Sequence, residues 1–186
     1  MQNHSRRQFV KYGLCTLAAM ALPLPKLALA GTPVKELGFY NLHTGEKLRL
    51  TFYEQGRYVP QAMEAINHLL RDYRTGDVHA IDTALLEQLH ELQQRVQTPG
   101  PFHVISGYRS PETNGLLHAH SSGVANKSMH LQGRAIDIRL PGKDLSQLHN
   151  AALSMQAGGV GYYPASDFIH IDTGHIRRWE QPAHAV

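Results

Sequence analysis

The sequence predicts an α+β domain, with an antiparallel sheet and helices packed on one of its faces. Three observations carry this. Short segments with period-2 hydrophobic alternation stand near residue 50 and again between residues 134 and 172. Two helices with apolar stripes at 3.6-residue spacing follow each other directly between residues 60 and 96. Strands and helices therefore do not alternate as they do in a parallel doubly wound sheet.

In chain order, residues 34–41 and 46–53 read as two strands. Lys47-Leu48-Arg49-Leu50-Thr51-Phe52 alternates polar and apolar, and His43-Thr44-Gly45 forms the turn between them. Pro60 opens a helix to about Tyr73, with Met63, Ile66, Leu69 and Leu70 on one face. Asp82 is the N-cap of a second helix, whose buried stripe is Leu85, Leu86, Leu89, Leu92 and Val96. Thr98-Pro99-Gly100-Pro101 breaks the chain. Beyond it we expect a buried strand at 102–106, a short helix from Pro111, a small polar loop at 119–126, a strand at 134–140 and a helix at 145–155 ended by Gly158-Gly159. Strands at 160–163 and 168–172 flank a Pro164-Ala165-Ser166 turn, and a weakly ordered tail follows Gly174.

The first 30 residues are set apart from this domain. Arg6-Arg7 sits in a basic start, an apolar run spans 12–24, and Ala28-Leu29-Ala30 is a small-x-small cleavage pattern. The arginine pair is the address of the twin-arginine route, which makes that translocase a transient partner and the periplasm the destination. The apolar run is shorter than the ~20 residues of a membrane span, so no stable insertion is expected after cleavage. The domain is then residues 31–186.

Removing the signal changes the charge argument. Of 18 Lys+Arg against 15 Asp+Glu, the signal takes Arg6, Arg7, Lys11 and Lys26 and no acid, so 14 remain against 15. The basic character belongs to the signal, and nucleic-acid binding has no support. The single cysteine, Cys15, is also in the signal. A metal in the mature chain must be held by histidine and carboxylate.

Most of the 13 histidines stand alone in the sequence or, like His68, beside an apolar stripe. His118 and His120 are two apart, a spacing that does not suit a shared metal on a helix. The segment Ser128-Met129-His130-Leu131-Gln132-Gly133-Arg134-Ala135-Ile136-Asp137-Ile138 is different. Alternation puts Ala135, Asp137 and Arg139 on one strand face and Ile136, Ile138 and Leu140 on the other. A carboxylate so close to the core needs a partner. A metal is one; Arg134 or Arg139 is the other. Phe168-Ile169-His170-Ile171-Asp172 repeats the pattern, with His170 and Asp172 sharing a face. Two histidines and one carboxylate suit a zinc ion with an open fourth position.

These residues carry a family resemblance. Ser128-x-His130-x-x-Gly133-x-Ala135-x-Asp137 resembles the signature of the zinc D-alanyl-D-alanine peptidases, whose metal site and fold are shared with the hedgehog signalling domain. Residues 159–164 followed by 168–174 resemble the end of that site, and Asn41-Leu42-His43-Thr44-Gly45-Glu46, Ser106-Gly107-Tyr108-Arg109-Ser110 and 152–159 resemble the exported murein endopeptidase K group. The resemblance spans residues 37 to 179. It implies one zinc per chain on His130, Asp137 and His170, peptidoglycan stem peptides as substrate, and an endopeptidase acting on cross-links, with the bond between two diaminopimelate residues expected and other cross-links open. Arg109 is expected to clamp a substrate carboxylate or stabilise the developing oxyanion, and Ser128 to hydrogen-bond the substrate. Relatives place a glutamate three residues before the last histidine ligand. Asp167 holds that position and is the expected general base, although a regular strand turns it away from His170. A D-alanyl-D-alanine carboxypeptidase and a non-catalytic, zinc-stabilised wall-binding domain are the alternatives.

Overall fold

The computed structural model describes residues 33–120 and 125–181. The twin-arginine segment and its cleavage pattern lie outside these residues. β1 (Lys35–Asn41) and β2 (Lys47–Glu54) form the hairpin expected from their alternation. Its turn is tied by Asn41 Oδ1, which accepts from the His43 and Thr44 amides. A two-residue strand that the sequence did not suggest, β3 (Arg57–Tyr58), pairs with β2. α1 (Pro60–Leu69) ends before Tyr73. Asp72 is the reason: its carboxylate accepts from the Arg74 and Ser110 amides and holds a tight turn, an alternative to continued helix. α2 (Thr83–Arg95) starts at Asp82, whose side chain accepts from the Ala84 amide, as the N-cap reading requires.

β4 (Phe102–Ser106), α3 (Pro111–His120), β5 (Ala135–Arg139), α4 (Leu145–Met155), β6 (Gly159–Tyr163), β7 (Phe168–Asp172) and β8 (Arg177–Glu180) complete the domain. The strands make one sheet in the order β3-β2-β1-β4-β5-β7-β6-β8. It is mixed, which corrects the antiparallel expectation. β1 runs parallel to β4, and β6 parallel to β8. After the β1–β2–β3 hairpins the chain crosses through α1 and α2 before returning beside β1, and such a crossover permits a parallel neighbour.

One face of the sheet is the core. Leu37, Phe39, Phe102, Val104, Ile136, Ile138, Ile169 and Ile171 are buried there with Ile66 of α1 and Leu85, Leu89 and Leu92 of α2. The isoleucines of β5 and β7 point inward as alternation demands, so Asp137, His170 and Asp172 are all carried on the opposite face. The tail beyond Gly174, expected to be weakly ordered, forms β8. Among the described residues no helix is long and apolar enough to cross a membrane.

Candidate metal centre

The site is laid out by strand register. Ser106 pairs with Asp137, Asp137 with His170, His170 with Gly161 and Gly161 with Trp179. This row crosses β4, β5, β7, β6 and β8 in turn. A register irregularity between Val104 and Ser106 brings Ser106 into line, a usual job for a bulge beside a site.

His130 reaches the row from outside the sheet, on a 3-10 turn at Met129–Gln132. Ser128 caps that turn, its Oγ accepting from the His130 amide at 3.3 Å. Gly133 ends it in the left-handed region at φ 64°, where a side chain is disfavoured. A Cβ there would also lie 2.2 Å from the Ala80 carbonyl oxygen. His130, Asp137 and His170 thereby converge, all buried, with their nearest donor atoms within 4.8 Å of one another.

The hydrogen bonds outside this group decide what the atoms inside it present. His130 Nδ1 lies 2.7 Å from the Gly107 carbonyl oxygen, which can only accept. Nδ1 therefore carries the proton and Nε2 offers a lone pair. His170 Nε2 lies 3.0 Å from Asp172 Oδ2 and donates to it, which leaves Nδ1 as the inward atom. The inward atoms, His130 Nε2, His170 Nδ1 and Asp137 Oδ1, are 3.2, 2.8 and 3.3 Å apart. Tetrahedral zinc with bonds of ~2.0–2.1 Å sets ligand atoms about 3.3 Å apart. Three lone pairs meeting in a buried space repel one another unless a cation or proton lies between them. The set fits a small divalent metal, and its outer carbonyl and carboxylate partners are those that orient metal-bound histidines.

Asp172 is fully buried and fully used. It accepts from His170, from both Nη atoms of Arg177 at 3.0 and 2.6 Å, and from the Gly159 and Gly174 amides. β8 supplies Arg177, and two glycines of β6 make room for it. A Cβ at Gly159 would lie 2.4 Å from the Arg177 guanidinium, and one at Gly161 2.5 Å from the Trp179 ring. The Trp179 ring lies 5.1 Å from that of His170, centroid to centroid.

Arg109 follows β4 and touches Asp137 through Nη2, 3.5 Å from Oδ2, the oxygen turned away from the histidines. Among the described residues its buried Nε has no partner. The two arginines weighed as ordinary partners of Asp137 are engaged elsewhere. Arg134 binds Thr173 and Asp82, and Arg139 binds Asp167. Arg109, Ser128 and the His130–Asp137–His170 group line one cleft of about 450 Å3. Asp167 is not brought to that lining. It sits at φ 53° after a 3-10 turn, its side chain 62 % exposed, and pairs with Arg139 at 3.0 Å in a neighbouring recess. The cleft is also lined by Tyr163, Arg177 and Trp179, which the sequence reading passed over.

Two comparisons with known proteins bear on this cleft. The profile of the family described as "Peptidoglycan L,D-endopeptidase MepK" matches residues 30–179. The chain belongs to this family. Among relatives, the MepK protein of Escherichia coli strain K12, named a peptidoglycan L,D-endopeptidase, is 46% identical over 176 residues, covering 94% of this chain and 97% of that protein. A probable MepK of Haemophilus influenzae is 37% identical over 180 residues, covering 96% and 97%. The MepK family profile ends at residue 179, so it takes in the β8 residues Arg177 and Trp179.

The electrostatics of the group predict a pH dependence. Burial keeps His130 below its ordinary pKa. Burial also opposes a charge on His170, but its hydrogen bonds and charge contacts with Asp137 and Asp172 outweigh this and raise its pKa above 6.5. Desolvation likewise opposes the charge on Asp137, yet the two histidines hold its carboxyl well below the usual range. Without metal, the charged His170 stabilises the fold below pH ~6.5, and this is lost as pH rises through its raised pKa. Metal requires the neutral imidazole, so metal affinity should rise with pH over the same range, with proton release on binding. Zinc titration calorimetry in two buffers of different ionisation enthalpy measures that release; affinity that does not change with pH would contradict it.

Proposed function

We propose that this chain is an exported zinc peptidase that hydrolyses peptide cross-links of peptidoglycan, at the amide between two diaminopimelate residues of neighbouring stem peptides. The observation that carries this is the convergence of His130 Nε2, Asp137 Oδ1 and His170 Nδ1 on a cleft in a member of the MepK family. Zinc held by those atoms would supply Lewis acidity, polarising the scissile carbonyl and lowering the pKa of water towards ~7. The protein's own part is to fix the charges around it. Gly107 and Asp172 hold the two imidazoles in their tautomers. Asp137 divides its oxygens, one to the group and one to Arg109. The Arg109 guanidinium offers its remaining donors to a substrate carboxylate or to charge developing on the carbonyl oxygen. Ser128 combines the turn cap with a place on the cleft wall, from which its hydroxyl can donate to the substrate. Asp167 enters as a proton acceptor only after release from Arg139.

The test is mass analysis of products from defined 3–3 and 4–3 cross-linked muropeptides with zinc-loaded protein. Monomers from the 3–3 dimer, abolished by chelator and restored by zinc, are expected. Loss of only a terminal D-alanine would indicate a carboxypeptidase instead. Asp167→Ala with undiminished turnover would remove Asp167 from the scheme. A non-catalytic wall-binding role draws support from one feature: among the described residues lining the cleft, Asp137 is the sole carboxylate. Retention on sacculi with no released product would favour it.

The same reading includes a hedgehog-like peptidase fold, residues 31–186 as the working domain, and periplasmic delivery by the twin-arginine route. Replacing Arg6 and Arg7 together with lysine should leave the precursor inside the cell, detected by fractionation. Export at the normal rate would count against that route.

A further inference from the structure

Tyr163 lies two residues beyond Gly161 on β6, and so on the same face as His170. Its ring stacks on Phe168 with 4.4 Å between centroids and 14° between planes. Its hydroxyl oxygen accepts the Trp179 Nε1 proton at 2.8 Å. An indole N–H only donates, so this bond occupies a lone pair of the phenol and leaves the phenolic proton to be given elsewhere. Among the described residues no group accepts it. Tyr163 lines the same cleft as Arg109, Asp137 and His170. Burial pushes the phenol's pKa up, so the group is a neutral donor at physiological pH and not a base.

The strand order gives this donor a purpose. Arg109 flanks the His130–Asp137–His170 group from the β4 side, and Tyr163 flanks it from the β6 side. The stack on Phe168 fixes the ring, and the bond from Trp179 fixes the oxygen. A donor held this way needs no reorganisation when charge appears in front of it. Accepting a hydrogen bond also polarises the hydroxyl and strengthens the bond it donates.

We propose that Tyr163 is a further catalytic residue: its O–H donates a hydrogen bond to the carbonyl oxygen of the scissile amide as negative charge develops there, and Trp179 is the positioning residue that aims it. The proton stays on Tyr163 throughout. This inference rests on the peptidase reading above.

The experiment compares wild type, Tyr163→Phe, Trp179→Phe and the double variant, as full zinc-loaded chains, on a cross-linked muropeptide that the wild type cleaves. Tyr163→Phe should lower kcat by about 100–1,000-fold with KM within about twofold. Its zinc content and Tm should match wild type, because the ring and its stack remain. Trp179→Phe should lower kcat less, and the double variant no further than Tyr163→Phe alone, because Trp179 acts through the hydroxyl. A phosphinic acid mimic of the tetrahedral geometry should bind Tyr163→Phe more weakly by the factor lost in kcat/KM. Wild-type kcat in Tyr163→Phe overturns the proposal. So does a loss that follows lowered zinc content or Tm, or additive losses in the double variant. A wild type that cleaves no muropeptide overturns the peptidase reading, and this proposal with it.

Discussion

His170→Ala is expected to lose both bound zinc and measurable peptidase activity while the chain stays folded. The substitution removes one of the three inward atoms and leaves Asp137 facing His130 and Arg109 only. It also strands Asp172, although both Arg177 nitrogens and two backbone amides still satisfy that carboxylate. The fold therefore has little reason to collapse. Asp172→Asn supplies the comparison. It keeps every inward atom but removes the charge that orients His170, a change that typically costs ~10–100-fold in metal affinity, and that pairs with Arg177. Saturating zinc should restore much of the Asp172→Asn activity and none of the His170→Ala activity. Zinc content after gel filtration and turnover against added zinc measure both. Full activity in His170→Ala would sink the metal centre, whatever the substrate.

Gly133→Ala is expected to cost a large share of the domain's stability for one added methyl group. The residue has φ 64°, and its Cβ would meet the Ala80 carbonyl oxygen at 2.2 Å. That oxygen belongs to backbone, so it cannot swing aside as a side chain does. Left-handed strain and overpacking each cost on the order of 1–3 kcal/mol, which together lower Tm by roughly 4–24 °C in a domain of this size. His130 sits on the turn that Gly133 closes, so zinc binding should weaken in the same variant. Gly142→Ala is the control. It has φ 79° but no atom within 4 Å of the new Cβ. It carries the backbone strain without the contact and leaves the metal group untouched. Thermal melts of the two variants, with and without zinc, separate the two effects. Equal losses would mean that the Ala80 contact is relieved by a backbone shift.

Much of the centre was legible because its geometry is local. Alternation along 135–139 and 168–172 is enough to put Asp137 and His170 on one face, and their cross-strand pairing turns that shared parity into contact. The Gly133 turn was visible from its residue type. What escaped was set by distant partners. β8 is held by Arg177 on Asp172 and by Trp179 over Gly161, and neither contact leaves a mark in the hydropathy of residues 175–181. The parallel pairing of β1 with β4 depends on where two helices carry the chain, which no strand encodes. Asp167 follows a 3-10 turn and has a positive φ, so counting three residues back from His170 could not foretell its direction.

The register row from Ser106 to Trp179 also has an engineering consequence. Asp137 and His170 are seated in a sheet, whereas much of the cleft's rim, at Ala125, Lys127, Ser128 and Ser166, comes from connecting segments. The molecule is thus divided into a rigid chassis and an exchangeable collar. Grafting new connections between Ala125 and Lys127, short of the Ser128 cap, should retune which wall fragment is admitted without rebuilding the seat beneath it. A library confined to those three positions therefore searches specificity at nearly constant metal affinity.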